Sequence, residues 1–144
     1  MPVSPVLIPE DALVRAVMVV RGRYSFAVDG GAVSTIAITS GTPIPSGSVI
    51  VGGYVDVLTQ LTSGGAATIA CQVEGANDIL TAVAVASWTA GRKNILPAPD
   101  TGALTTSTVV KTTADRNISI VIATAALTAG VFDVVLLVIP PAST

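Results

Sequence analysis

A two-residue period in side-chain character, interrupted at short intervals by glycine and proline, constrains this chain more than any other feature. The stretch Gly41 to Leu61, GTPIPSGSVIVGGYVDVLTQL, organises the rest. Pro43, Pro45 and Gly47 make a turn that cannot continue a hydrogen-bonded ladder, so a strand must start afresh after it. Val51, Val55 and Val57 then share one parity, and Tyr54, Asp56 and Leu58 share the other. Between them, Gly52-Gly53 reads as a bulge or a close backbone approach. The alternation is clearest from Asp115 to Ala123, with Ile118, Ile120 and Ile122 inward and Asn117, Ser119 and Val121 outward. From Val131 to Ile139, Phe132, Val134, Leu136 and Val138 take the parity opposite Asp133, and Pro140-Pro141 ends the run.

The remaining segments share this grammar. Pro2, Pro5 and Pro9 favour an extended N-terminal arm with few ladder bonds, either disordered or laid on a neighbour. Leu13 to Val20 is apolar on both faces apart from Arg15, as in a strand covered on both sides at a subunit interface. Tyr24 to Val28 predicts a short strand ended by Asp29-Gly30-Gly31. Val33 to Thr39 predicts another, with Ile36 and Ile38 inward. Ser63-Gly64-Gly65 turns into Ala66 to Glu74, where Ile69, Cys71 and Val73 alternate with Thr68, Ala70 and Gln72. Asn77 to Trp88 reads either as a helical turn capped by Asn77 or Asp78 or as a strand over Ala82 to Val85. Gly91 to Gly102 predicts a loop, Thr105 to Thr112 a strand, and Thr128-Ala129-Gly130 a turn. Eight to ten short strands with regular turn signals, and no helical periodicity over any long window, predict an all-β fold. The expected architecture is an antiparallel β-sandwich, jelly-roll-like, with an extended N-terminal arm. The expected division is residues 1–31 as arm and first strands, for interface contact, and 32–144 as the sandwich.

Composition narrows the setting. Charged residues are 11% of the 144 and hydrophobic residues 51%, against roughly 25% charged in an ordinary soluble domain. Either the chain meets a membrane or it hides surface against partners. No run approaches the roughly 18–20 apolar residues of a spanning helix, and 3% aromatics is poor for the girdles of a membrane barrel. A subunit that buries surface by assembling, without membrane contact, is the expectation. A net charge of −2 argues against nucleic acid. Arg15, Arg21 and Arg23 read as solvated strand-end charges rather than a basic patch. MPVSPVLIPE lacks the positive n-region of a signal peptide.

No constellation of catalytic residues accompanies the strands. The chain has no histidine, which removes the commonest general base, the usual triads and most zinc sites. Cys71 is the one cysteine and falls on an apolar parity, where it acts as a small hydrophobe. The nine acids are scattered singly, and Asp29, Asp78, Asp100 and Asp115 read as turn or cap residues. The Gly-Gly pairs lack the lysine and helix start of a phosphate loop. A non-enzyme with no catalytic, metal-binding or cofactor-binding residues and no cofactor is expected. Trp88 reads as a single buried anchor.

The order of the pieces is itself informative. A prolyl turn leads into GGYVDVLTQLTSGGAATIACQVEG at 52–75, then NDIL at 77–80, then KTTADRNISIVIATAALTAGVFDVVLLVI at 111–139. This resembles the capsid decoration, or cement, proteins of tailed double-stranded DNA bacteriophages. In that group TADR-x-I-x-I-x-I, here 113–122, followed by LTAG-x-F-x-V, here 127–134, forms the closing pair of sandwich strands. The resemblance spans residues 33 to 139. It implies a β-sandwich assembled as a homotrimer on the outer surface of the virion's capsid, put together in the host cytoplasm. There it would bridge neighbouring major capsid protein subunits against internal DNA pressure. The group offers no fixed functional residues to carry over, and residues 1–31 fall outside the match. Two other readings compete: a different virion module of tail, fibre or vertex, and a carbohydrate-binding adhesive sandwich. The last would need an exposed, coplanar pair such as Trp88 and Tyr54.

Overall fold

The computed structural model describes residues 17–94 and 109–142. Among the described residues nine strands form two antiparallel sheets. They are β1 (Met18–Ser25), β2 (Ser34–Ile38), β3 (Val49–Ser63), β4 (Thr68–Gln72), β5 (Leu80–Ala84), β6 (Gly91–Asn94), β7 (Val110–Lys111), β8 (Ile118–Ala123) and β9 (Leu127–Ile139). One sheet runs β1-β9-β3-β6, with the short β7 also on β3, and the other runs β2-β8-β4-β5. The pairing is nested: β1 takes β9, β2 takes β8, β3 takes β6 and β4 takes β5, all antiparallel. The chain therefore lies as one long hairpin wrapped so that successive arms alternate between sheets. The all-β sandwich expected from the two-residue period is the fold observed.

The inward parities meet between the sheets. Ile118, Ile120 and Ile122 from β8 and Ile69 and Cys71 from β4 face Phe132, Val134, Leu136 and Val138 from β9, all buried. Tyr24 and Trp88 flank Phe132, with ring centroids 5.1 and 4.8 Å from it. Trp88 is thus the internal anchor that its isolation in the sequence suggested. The strands of TADR-x-I-x-I-x-I and LTAG-x-F-x-V, β8 and β9, lie in opposite sheets and meet across this core rather than through a shared ladder.

The prolyl turn before β3 is held from outside. Gly47 takes a positive φ, its N–H donates to the Thr112 carbonyl, and the Thr112 hydroxyl donates to the Pro45 carbonyl. Ile44 and Arg116 exchange two backbone hydrogen bonds, and the Ser46 N–H donates to Asp115.

Several expectations are corrected. Val51 does not share the inward parity of Val55 and Val57: it is 39% exposed, while Ile50 is buried. The register of β3 on β9 slips by one residue between Ile50 and Gly52, so the expected bulge is real and it resets the alternation. Phe26 to Asp29 is a single helical turn, α1, rather than the end of a strand. The Ser25 N–H donates to the Asp29 carboxylate, and the Gly30 N–H closes onto the Phe26 carbonyl. Thr128-Ala129-Gly130 is strand, not turn, because the chain already reverses at Thr124, whose φ is 72°. Gly130 instead sits at an irregular stretch of the β3–β9 ladder with a positive φ, where a Cβ would fall 2.6 Å from Leu61 Cγ. Gly91 to Asn94 is β6, paired to Tyr54–Val57, rather than loop. Of the Asn77 to Trp88 alternatives the strand prevails, followed by a 3-10 turn at Val85–Ser87. Asp78 caps the preceding turn, accepting from the N–H groups of Val73, Glu74 and Gly75. The N-terminal arm, Leu13 to Ala16, Asp100 and the first half of Thr105 to Thr112 lie outside the described residues, and the second half contributes β7.

Candidate interaction surface

The outward side of the β1-β9-β3-β6 sheet carries the features that the core does not explain. Alternation puts Val19, Arg21 and Arg23 of β1 on it, beside Leu137, Val135 and Asp133 of β9, their register partners. Across β9, Tyr54 stands opposite Val135 and Asp56 opposite Asp133, and Arg92 of β6 stands opposite Asp56. The face divides along the strands. At one end Val17 (51% exposed), Val19 (62%), Val51, Leu137 and Ile139 (40%) form a contiguous aliphatic row open to solvent. At the other end the positions are charged.

The bulge, whose unpaired residue is Val51 just before Gly52-Gly53, helps to build the apolar end. By adding a residue to β3 it turns Val51 outward, beside Leu137. Leu137 approaches Gly52 closely enough that a Cβ there would lie 3.1 Å from its Cδ1. Isolated exposed aliphatic side chains are ordinary, but a contiguous row on one sheet face marks a surface made to be covered. The sequence pattern anticipated covering at Leu13 to Val20. Within the described residues Val20 is buried inward, whereas Val19 on the other parity has no cover.

At the charged end Asp133 is fully buried at 0% exposure, roofed by two arginines. Arg23 reaches it with Nε at 2.6 Å and Nη2 at 2.9 Å, and Arg21 Nη2 comes within 2.7 Å. The Arg23 hydrogen bonds hold the Asp133 carboxyl below its ordinary range, outweighing the burial that pushes the other way. The same pairing raises Arg23. Arg21, Arg23, Ser40 and Asp133 bound a shallow depression of about 350 Å³. Two guanidinium groups over one carboxylate leave a surplus positive charge in it. Reading Arg21 and Arg23 as solvated charges missed this, since their shared partner lies 110 residues beyond Arg23 and only the β1–β9 register brings it near.

A second ion pair was also missed. Arg116 donates from Nε and Nη2 to Glu74 at 2.9 and 3.1 Å, and the Thr113 hydroxyl and N–H donate to the same carboxylate. The Arg116 bonds first, then those from Thr113, bring Glu74 down to about 2. The TADR segment thus ties β8 to the end of β4, and this cluster is a latch within the sandwich.

Other candidate chemistry is not assembled. Cys71 is wholly buried and its thiol is pushed up to about 12 by burial, so the reactive thiolate is suppressed. Among the described residues no group of three or more Cys, Asp or Glu side chains converges as a metal site. A cavity of about 80 Å³ beside Trp88, lined also by Val55, Leu80 and Val83, is far below the size of a ligand pocket. Trp88 is 2% exposed, so it forms no sugar-stacking platform with Tyr54, over whose ring Arg92 lies at 5.6 Å. No helix among the described residues is long and apolar enough to cross a membrane.

No family model matches the chain, and no curated protein matches it. Two solved structures share its fold. A chain of the Cyanophage Pam1 capsid asymmetric unit superposes with a TM-score of 0.57 at 19% identity, covering 87% of this chain and 85% of that one. A chain of the acidic stable capsid structure of Helicobacter pylori bacteriophage KHP30 gives 0.52 at 11% identity, covering 85% and 87%. At such identities the likeness is one of fold, and it extends over nearly the whole of each chain.

Proposed function

We propose that this chain is a structural protein of a bacteriophage virion: a capsid decoration or cement protein that sits on the outside of the head and bridges major capsid subunits. The observation that carries the reading is the extent of the fold likeness. Both chains of the phage capsid structures match over at least 85% of their own length, so the likeness takes in the whole sandwich rather than a fragment of it. The nested strand order supports classing the sandwich as a jelly roll, an architecture that recurs in viral capsid domains. The uncovered aliphatic row supports a subunit that is completed by contact with neighbours.

On this reading the protein is not an enzyme and its work is mechanical. Each contact is modest, and repetition by symmetry supplies the holding strength. The chain acts as a homotrimer, with residues 1–31 contributing to the contacts. Fractionating particles from the source on a density gradient and probing each fraction tests the reading. Co-sedimentation with filled heads, at a copy number near that of the major shell protein, is expected. Low copy number would replace cement by a tail, fibre or vertex role, and absence from particles would overturn the virion reading. A stable monomer by light scattering at micromolar concentration would overturn the trimer.

A further inference from the structure

The aliphatic row on the outward side of the β1-β9-β3-β6 sheet is too small to hold a rigid second copy by itself. Its five side chains amount to a patch on the order of a few hundred Å², whereas a stable interface takes roughly 800 Å² from each partner. An extended segment suits it better. We infer that the segment covering this face is residues 1–16 of a neighbouring copy of the same chain. The inference rests on the reading that copies of this chain assemble, and it specifies the face and the segment through which they do so.

Three observations converge on that occupant. The first is where the segment leaves the fold. It joins the described residues at Val17, one residue before Met18 of the edge strand β1 pairs with Val138 of β9, at the apolar end of the face. The residues leading in, Val14-Arg15-Ala16-Val17, include no glycine, proline, asparagine or aspartate to reverse the chain back over its own sheet. Sixteen residues can reach up to about 50 Å when extended, enough to cross onto an adjacent subunit.

The second is composition. Pro2, Pro5 and Pro9 remove N–H donors, which disfavours adding a strand to an edge and favours lying across a face by side-chain contact. Val3, Val6, Leu7 and Ile8 supply aliphatic surface matching Val19, Val51, Leu137 and Ile139.

The third is charge. Glu10 and Asp11 follow the aliphatic run directly. On the face, the aliphatic row gives way to Arg21 and Arg23, with one carboxylate between two guanidinium groups. Leu7 precedes Asp11 by the same four residues that separate Asp133 from Leu137, about 13 Å of extended chain. A segment seated with its aliphatic run on Leu137 brings its acids to the arginine depression.

Cysteine cross-linking in the full chain tests this, because the one native cysteine, Cys71, is wholly buried. Leu7→Cys and Leu137→Cys are made in separate, differently tagged chains, coexpressed and mildly oxidised. The expected product is a disulfide-linked pair containing one chain of each kind. It should be lost when Leu137→Cys is replaced by Thr35→Cys, exposed on the opposite sheet. A dominant Leu137→Cys homodimer would overturn the inference in favour of two faces packed together. In the double variant, a link closing within one chain would overturn the neighbouring-copy assignment. Assembled protein by light scattering with no cross-link would sink the segment's placement alone, whereas monomeric protein would sink it together with the assembly reading.

Discussion

Asp56 stands directly opposite Asp133 across the β3–β9 ladder, two carboxylates facing each other on one side of a sheet. Like charges in that position repel, and the fold answers from both flanks. Arg23 and Arg21 reach Asp133 from β1, and Arg92 approaches Asp56 from β6 with Nε at 3.9 Å. The row of charges forms a chain of alternating partners, and Arg23 is its strongest member because it binds both oxygens of a buried carboxylate.

Arg23→Met is therefore expected to lower the urea midpoint more than Arg21→Met, since the first removes two contacts to Asp133, one on each oxygen, and the second removes one. Adding Asp56→Asn to Arg23→Met should recover part of the loss by removing the opposed charge, on the order of 0.2–1 kcal/mol. Equal midpoints for the two arginine variants, or no recovery in the double variant, would contradict the ranking.

The two held carboxylates set the acid limb of stability. Glu74 is lowered to about 2 by its bonds from Arg116 and then Thr113, and Asp133 is lowered by Arg23. A carboxylate whose folded pKa is depressed stabilises the fold above its unfolded value, near 4, and that contribution goes as pH falls through the folded value. The urea midpoint should hold level from about pH 7 to 5 and drop between about 4 and 2. Glu74→Gln should start lower and show a shallower drop. An unchanged slope in Glu74→Gln would remove Glu74 from the account. On the alkaline side, burial raises Tyr24 and Cys71 to about 12. Stability from these groups is complete below their unfolded values and is lost as pH climbs toward 12.

Phe132 joins the two other buried rings. It has no exposure and lies between Tyr24 and Trp88. Phe132→Ala should cost about 3–5 kcal/mol. Tyr24→Phe, which removes only the 2.7 Å bond from the hydroxyl to the Gly30 carbonyl, should cost about 1 kcal/mol. Trp88 is the one tryptophan and is buried, so its emission should shift to the red on unfolding and report both midpoints directly. A Phe132→Ala loss no larger than that of Tyr24→Phe would show that the rings do not pack as a unit.

What was legible in the sequence were the strands whose alternation is unbroken. Ile118, Ile120 and Ile122, and Phe132 through Val138, point where their parity says they should, because a period of two is a local property. Val51 was misread for the same reason: a bulge changes parity, and Gly52-Gly53 announces a bulge without saying which side of it is shifted. Phe26 to Asp29 was misread because one helical turn is too short to show a 3.6-residue period. The interaction surface was the least legible feature. Asp133 could be placed on the parity opposite Phe132, but its partners follow from β1 pairing with β9, a choice among all possible strand pairs. Glu74 with Arg116 is the same case at a separation of 42 residues.

Two glycines of contrasting surroundings, Gly53 beside the bulge and Gly64 after β3, provide the last prediction. A Cβ on Gly53 would fall 2.6 Å from the Val135 carbonyl oxygen and 2.8 Å from Leu136 Cδ2. The oxygen belongs to the backbone of the central strand β9 and cannot swing aside as a side chain could, so the ladder itself must shift. Gly53→Ala should cost about 1–3 kcal/mol, as overpacking does elsewhere. Gly64, in the turn after β3, has nothing within 4 Å of its would-be Cβ and no positive φ. Gly64→Ala should be neutral or stabilising by about 0.4–1 kcal/mol through the unfolded chain. The two urea midpoints, read by Trp88 emission, should move in opposite directions or by clearly different amounts. If Gly53→Ala proved as mild as Gly64→Ala, the close approach of β3 to β9 at the bulge would be looser than described. The outward turn of Val51 would then need a different cause.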